Sequence, residues 1–253
     1  MLKFLILEKT HHCKLFIHPN VTALFFLNLE RFFDCLDPNL FVTIVLANPL
    51  GFKQNKRFID VNLNRLFGEN IRHQTNQYEY TLVQNLDKLI SEADEVLDVH
   101  STSAPTDSFA IPCGEKRSYD MAKMLPVKFV VEQLCDFIEG TTMTAVQRYK
   151  KIGSIVECGQ HEEAQTIVNA KRCIQTFLTK TNPTLEKPTL LKCLGREFVK
   201  EGFQYCKQVR AFTQVEFGEI IAKDNHRELK CELQNCYLIM PTVNKKQSLL
   251  KKF

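Results

Sequence analysis

The stretch Leu40-Phe41-Val42-Thr43-Ile44-Val45-Leu46-Ala47-Asn48-Pro49 leads without a break into Leu50-Gly51-Phe52-Lys53-Gln54-Asn55-Lys56-Arg57-Phe58-Ile59-Asp60-Val61-Asn62-Leu63-Asn64-Arg65-Leu66-Phe67-Gly68-Glu69. Its first part is an apolar run with several β-branched members, the pattern of a parallel strand buried on both faces. Asn48-Pro49 then reads as a turn, because proline lacks an N–H and biases the preceding residue away from helix. Beyond it, Arg57, Asp60, Asn62, Asn64 and Arg65 interleave with Phe58, Ile59, Val61, Leu63, Leu66 and Phe67. That mixture suits a loop pinned to a core by its apolar members while its polar members face a cleft. Arg57 and Arg65 could each grip a carboxylate in bidentate fashion. A solvated surface loop with incidental arginines has the same composition.

Working outward, Leu2 to Leu7 and Cys13 to Ile17 read as strands, the second ending at His18-Pro19-Asn20. Thr22 to Phe33 has the spacing of a largely buried helix, and Asp37-Pro38-Asn39 is a turn. Downstream, Asn76 to Glu92 carries Leu82, Val83, Leu86, Leu89 and Ile90 on a helical stripe, with Asn76 and Glu79 spaced as a capping box. Glu95 to Val99 is a short strand delivering His100. Phe109 to Pro112, Val127 to Val131 and Gly153 to Cys158 are further strands, and Thr141 to Lys150 and Glu162 to Thr179 are helices. This alternation predicts an α/β domain with a largely parallel sheet over residues 1–180. Thr181 to Thr189, with Pro183 and Pro188, reads as a linker, and residues 190–253 as a small β-rich module.

The 253 residues carry a formal net charge of +4, and their basic side chains are not concentrated, which disfavours a nucleic-acid partner. The N-terminus lacks signal-peptide anatomy and no apolar stretch reaches membrane-span length. None of the ten cysteines forms a Cys-x-x-Cys pair. The expectation is a reduced, cytoplasmic protein without membrane attachment, whose thiols mostly act as small hydrophobes. A homo-oligomer is compatible with this reading.

In an open α/β sheet, ligands bind beyond the carboxyl ends of the strands. Four predicted strand ends carry suitable residues: His18, the Arg57–Arg65 segment, His100 and Glu157. A metal with histidine and carboxylate ligands, a nearby glutamate and two arginines would suit hydrolysis of a carboxylate-bearing amide. Cys158 with His161 offers a different chemistry, a cysteine hydrolase, but no oxyanion signature accompanies that pair.

These segments resemble those of a known family. Asn48-Pro49 followed by Arg57-Phe58-Ile59-Asp60-Val61-Asn62-Leu63-Asn64-Arg65-Leu66-Phe67 is similar to the Asn-Pro…Arg-Tyr-Ile-Asp-x-Asp-Leu-Asn-Arg-x-Phe signature of the succinylglutamate desuccinylase/aspartoacylase family, relatives of zinc carboxypeptidases. Leu97-Asp98-Val99-His100-Ser101-Thr102 and Ile155-Val156-Glu157-Cys158-Gly159 resemble two further family segments, in the family's order. The resemblance implies a zinc-carboxypeptidase-like α/β/α sandwich, with a mixed, largely parallel sheet and a small C-terminal β module. It implies a hydrolase that cleaves the amide bond of a small N-acyl amino acid with one Zn2+ per chain. By position, His18 and His100 would ligate the metal, and Glu157 would be the general base. Arg57 would stabilise the oxyanion, Asn64 and Arg65 would hold the substrate carboxylate, and Asp60 would support the loop. Arg148 would meet the acyl carboxylate. The sequence departs from the pattern at Asn62, usually Asp, and at Val21, which stands where the family has its glutamate metal ligand. The alternative is a relative without turnover that serves as a carboxylate-binding or scaffold protein.

Overall fold

A computed structural model describes residues 11–17, 40–68, 77–182, 186–198, 202–241 and 249–252. The strand expected at Leu2–Leu7, the helix at Thr22–Phe33, and His18 and Val21 lie outside the described residues. The central sheet has seven strands: β1 His11–Ile17, β2 Leu40–Leu46, β3 Glu95–Thr102, β4 Phe109–Gly114, β5 Phe129–Glu132, β6 Ile152–Gln160 and β7 Thr189–Lys192. Their order is β2-β1-β3-β6-β4-β5-β7. Every neighbouring pair is parallel except β6–β4. The sheet is therefore mixed and largely parallel, and β1, β3 and β6 bring their carboxyl ends to one edge.

Helices cover both faces. On one side, α2 (Tyr78–Ser91) and α4 (Thr142–Arg148) join a core that also takes Leu63, Leu66 and Phe67 from the arginine-bearing loop. On the other, α3 (Lys116–Met124) and α5 (Ala164–Thr179) pack around Leu97, Val99, Val156 and Phe177. Leu63, Leu66 and Phe67 are buried, and each such side chain contributes about 1.5–3 kcal/mol, so the loop is fastened to the core by its apolar members.

Several local expectations need correction. β2 is an edge strand among the described residues, yet Val42 and Val45 point to opposite faces and are buried in the two cores, while its other residues are half-buried. Asn48-Pro49 does not simply turn the chain. It starts a short helix, α1 (Pro49–Lys53), with Pro49 in the first turn, where a missing N–H costs nothing. β7 follows the proline-containing segment yet pairs with β5, so the large sheet takes its last strand from beyond the expected linker. Cys113 and Cys135 form a disulfide, against the expectation of unpaired thiols.

Past β7, short antiparallel pieces build the β-rich module. They are β8 (Gly195–Phe198) with β14 (Leu249–Lys252), β9 (Gln204–Tyr205) with β11 (Ile220–Lys223) and β12 (Glu228–Lys230), and β10 (Thr213–Val215) with β13 (Cys236–Leu238). A small core of its own includes Val215, Ile221, Leu229 and Leu238. Phe212 stacks on Phe129 at 4.0 Å between ring centroids and fastens the module to the sheet. Among the described residues no helix is long and apolar enough to cross a membrane.

The loop is positioned by Glu79, which is 0 % exposed. Its carboxylate accepts hydrogen bonds from the backbone N–H groups of Ile59 (2.6 Å), Asp60 (3.1 Å) and Val61 (3.2 Å), and from Asn48 Nδ2 (3.0 Å). Asn48 is also the cap of α1, its Oδ1 accepting from Gly51 N at 2.8 Å. In return, Asp60 Oδ2 accepts from Tyr78 N at 2.8 Å, capping α2 from a distance in sequence. Glu79 therefore serves a tertiary exchange with the loop, where a local capping box was expected; Asn76 lies outside the described residues.

Burial alone would raise the Glu79 pKa, but the three backbone donors and Asn48 outweigh it and hold the carboxyl below its usual value. A lowered folded-state pKa means that the stabilisation is complete above the ordinary carboxylate range and is lost as pH falls through the folded value. Glu79→Ala strands four buried donors and should destabilise the protein by about 3 kcal/mol in urea unfolding at pH 7. The gap between wild type and variant should shrink below about pH 4. An unchanged unfolding midpoint would remove Glu79 from this role.

Candidate active site

The β3 and β6 strands run parallel with His100 directly beside Glu157. Side chains alternate along a strand, so Asp98 shares the His100 face. Its Oδ2 lies 2.9 Å from His100 Nε2 and also accepts a hydrogen bond from the Thr142 hydroxyl. Asp98 is 2 % exposed and Glu157 8 %, so two carboxylates and an imidazole share a nearly dry patch. Burial pulls the His100 pKa down, but the charges of Asp98 and Glu157 and the hydrogen bond to Asp98 outweigh it. The result is a pKa pushed up to about 8, with Arg57 opposing the rise.

The loop continues the same edge. Asn62 Oδ1 accepts from Asn64 N at 3.1 Å and caps a single 3-10 turn, Leu63–Arg65. Asn64 Oδ1 accepts from Thr142 N at 3.0 Å, which ties the turn to the residue that also holds Asp98. Phe67 N donates to the Gly140 carbonyl at 3.1 Å. Gly140 has φ +74°, and a Cβ there would lie 2.6 Å from the Arg65 carbonyl oxygen, so only glycine allows this approach. Arg57 and Arg65 are exposed, with no ion-pair partner among the described residues. Crowding by the protein, then the charges of Arg57 and Arg196, lower the Arg65 pKa. Such a cluster of guanidinium groups is an anion site.

Of the residues expected from the sequence, Arg57, Asn64, Arg65, His100 and Glu157 come together, and Asp60 supports the loop as described. Arg148 does not join them. Its guanidinium donates to the Phe67 carbonyl at 3.0 Å, pairs with Asp87 and lies over the Tyr149 ring. It is engaged in packing α4 against α2, and the acyl-carboxylate role expected for it is set aside. Sequence reasoning also missed Glu79, Thr142, Arg196 and the pair Ser101–His161. Only Asp98, two residues before His100 on a strand, was open to a simple periodicity argument. The others meet the site through tertiary contacts of long sequence separation.

Cys158 is fully buried against α5, and a hydrogen bond with Cys173, burial and the Glu157 charge push its thiol pKa well up. A thiolate nucleophile is disfavoured there, which disposes of the cysteine-hydrolase alternative. Zinc would need three or four converging donors. Among the described residues no group of three His, Cys, Asp or Glu side chains could hold a metal ion. His100 has the bearing of a ligand, an imidazole oriented by a carboxylate. Val21, at the position matching the family's glutamate, has a hydrocarbon side chain that cannot coordinate. The described residues thus hold one such donor, and His18, the other expected ligand, lies outside them.

Residues 30–180 match the model of the succinylglutamate desuccinylase/aspartoacylase catalytic domain. A probable aspartoacylase from Prochlorococcus marinus subsp. pastoris is 31 % identical over 132 residues, which cover 50 % of this chain and 43 % of that protein. The match thus spans under half the length of that relative. Among solved structures, succinylglutamate desuccinylase from Vibrio parahaemolyticus superposes with a TM-score of 0.74 at 16 % identity, covering 96 % of this chain and 82 % of the other. Murine aminoacylase 3 gives 0.71 at 19 % identity, covering 97 % and 95 %. With the family's catalytic-domain model matched over more than half its length, this chain belongs to the succinylglutamate desuccinylase/aspartoacylase family.

Proposed function

We propose that this site binds a small N-acyl amino acid by its carboxylate and cleaves the amide bond, in the manner of an aspartoacylase or succinylglutamate desuccinylase. The observation that carries the reading is the Glu79-held loop, which presents Arg57 and Arg65 beside the His100–Glu157 patch. Arg65 and the Asn64 side-chain amide hold the carboxylate. Glu157 takes a proton from the attacking water and hands it to the leaving nitrogen, and Arg57 stabilises the negative charge that develops on the carbonyl oxygen. Asp98 and Thr142 keep His100 in place, so that the imidazole balances the neighbouring carboxylates. All of these are roles of this chain's own side chains.

A second reading, carboxylate binding without turnover, is favoured by one feature, the hydrocarbon Val21 where the family pattern has a metal-ligating glutamate. The two readings share the arginine loop and differ only in chemistry. Turnover separates them: release of the free amino acid from an N-acyl amino acid, with or without added zinc, is expected of the hydrolase and absent if the protein only binds.

Arg65→Ala should weaken binding of an N-acetyl-amino acid roughly tenfold by calorimetry, with KM rising more than kcat falls wherever turnover is seen. An effect confined to kcat would contradict a ground-state carboxylate contact. Glu157→Gln should lower kcat by roughly a hundredfold or more with binding retained, as expected for loss of a general base. Unchanged turnover would remove Glu157 from the base role.

A further inference from the structure

Beyond Glu157 the chain follows a path that only glycine permits. Gly159 has φ +133°, and a Cβ there would lie 2.6 Å from Thr166 Oγ1. The β3–β6 register shifts after His100, so that Thr102 faces Gln160. His161 follows at once and is fixed twice. Its backbone N–H donates to the Thr102 carbonyl at 3.0 Å, and its ring Nδ1 lies 2.8 Å from Ser101 Oγ. Ser101 lies at the carboxyl end of β3, where the register shifts, and the charges of Arg57 and His100 both act on His161, so this second imidazole is held at the strand ends near the site. It is only partly buried. Burial, then the charges of Arg57 and His100, lower its pKa, with Glu162 opposing them. A neutral imidazole beside an arginine-rich loop is a directional hydrogen-bonding group rather than an added cation.

We propose that His161, oriented by the Ser101 hydroxyl, is a specificity-determining residue that hydrogen-bonds the acyl carbonyl oxygen of the ligand whose carboxylate meets Arg65. With Ser101 donating to Nδ1, the ring proton sits on Nε2, which becomes the donor. Ser101 is then a positioning residue, and the ligand contact belongs to His161. The inference rests on the carboxylate-binding reading above and adds what reads the acyl group. Arg65 and the His100–Glu157 pair do not distinguish an acylated ligand from a plain acid with the same carboxylates, and Arg57 meets the carbonyl oxygen only as charge develops on it.

The test compares N-acetylaspartate with succinate, which has the same two carboxylates but no acetamido group, by calorimetry on the full chain. His161→Phe should weaken N-acetylaspartate roughly tenfold and succinate less than twofold, the loss expected for one directional hydrogen bond. Ser101→Ala should fall between wild type and His161→Phe, and His161→Gln, which keeps a donor, should recover part of the loss. Equal loss for both ligands, no loss for either, or no recovery in His161→Gln would overturn the proposal. Wild-type protein that binds neither ligand would remove the carboxylate-binding reading and this inference together. Wild-type binding with an unaffected His161→Phe would remove this inference alone.

Discussion

Glu79 holds a carboxylate wholly out of water, surrounded by three consecutive backbone N–H groups of the arginine loop and the side-chain amide of Asn48. A buried carboxylate is costly without donors, and buried N–H groups are costly without an acceptor. Each side removes the penalty of the other, and the loop can satisfy Glu79 in only one conformation. Residues 59–61 are thereby fixed between Arg57 and Arg65, and Asp60 returns the contact by capping α2. The loop conformation, the start of the helix beneath it and the placement of the two guanidinium groups are consequences of a single electrostatic arrangement.

The site extends from that anchor through short links. Asn64 reaches Thr142, Thr142 reaches Asp98, and Asp98 reaches His100, which stands beside Glu157. A loop after β2, the start of α4 and the end of β3 thus form one hydrogen-bonded chain, with the end of β6 alongside. Gly140 and Gly159 mark the two places where backbone must pass too close for a side chain, one behind Arg65 and one behind Glu157. Arg196 adds a third guanidinium near Arg65 from the β-rich module while donating to the Phe137 carbonyl at 3.1 Å. The anion-attracting field therefore has contributions from both parts of the fold.

The order of strands and helices was legible because hydrophobic period and turn residues are local signals. The apolar run at Val96–Val99, the stripe along α2 and the glycine-bounded β6 all lie where the sequence places them. Two things were not local. Glu79 has the spacing of a capping residue, and nothing near it announces a loop twenty residues upstream as its partner. Arg148 lies close to Glu157 in sequence, yet Asp87, from a different helix, engages it. β2 has the apolar composition of a doubly buried strand and does send Val42 and Val45 into opposite cores, but composition cannot show that it lies at the edge of the described sheet. His161 was first weighed only as a partner for Cys158, which points to the opposite face of β6; its contact is Ser101, sixty residues away.

The proposed carboxylate-binding role rests on the loop that Glu79 holds, and the proposed chemistry on fewer residues. Val21 stands at a position where the family pattern has a ligand, and the described donors hold one oriented imidazole rather than a three-ligand set. The central claim is that the Glu79-held loop is a carboxylate clamp. A crystal structure of the full chain with N-acetylaspartate tests it most directly. The account predicts a ligand carboxylate within hydrogen-bond distance of Arg65, with the amide carbonyl near Arg57 and Glu157. A ligand bound elsewhere, or an arginine loop left without it at saturating concentration, would contradict the account.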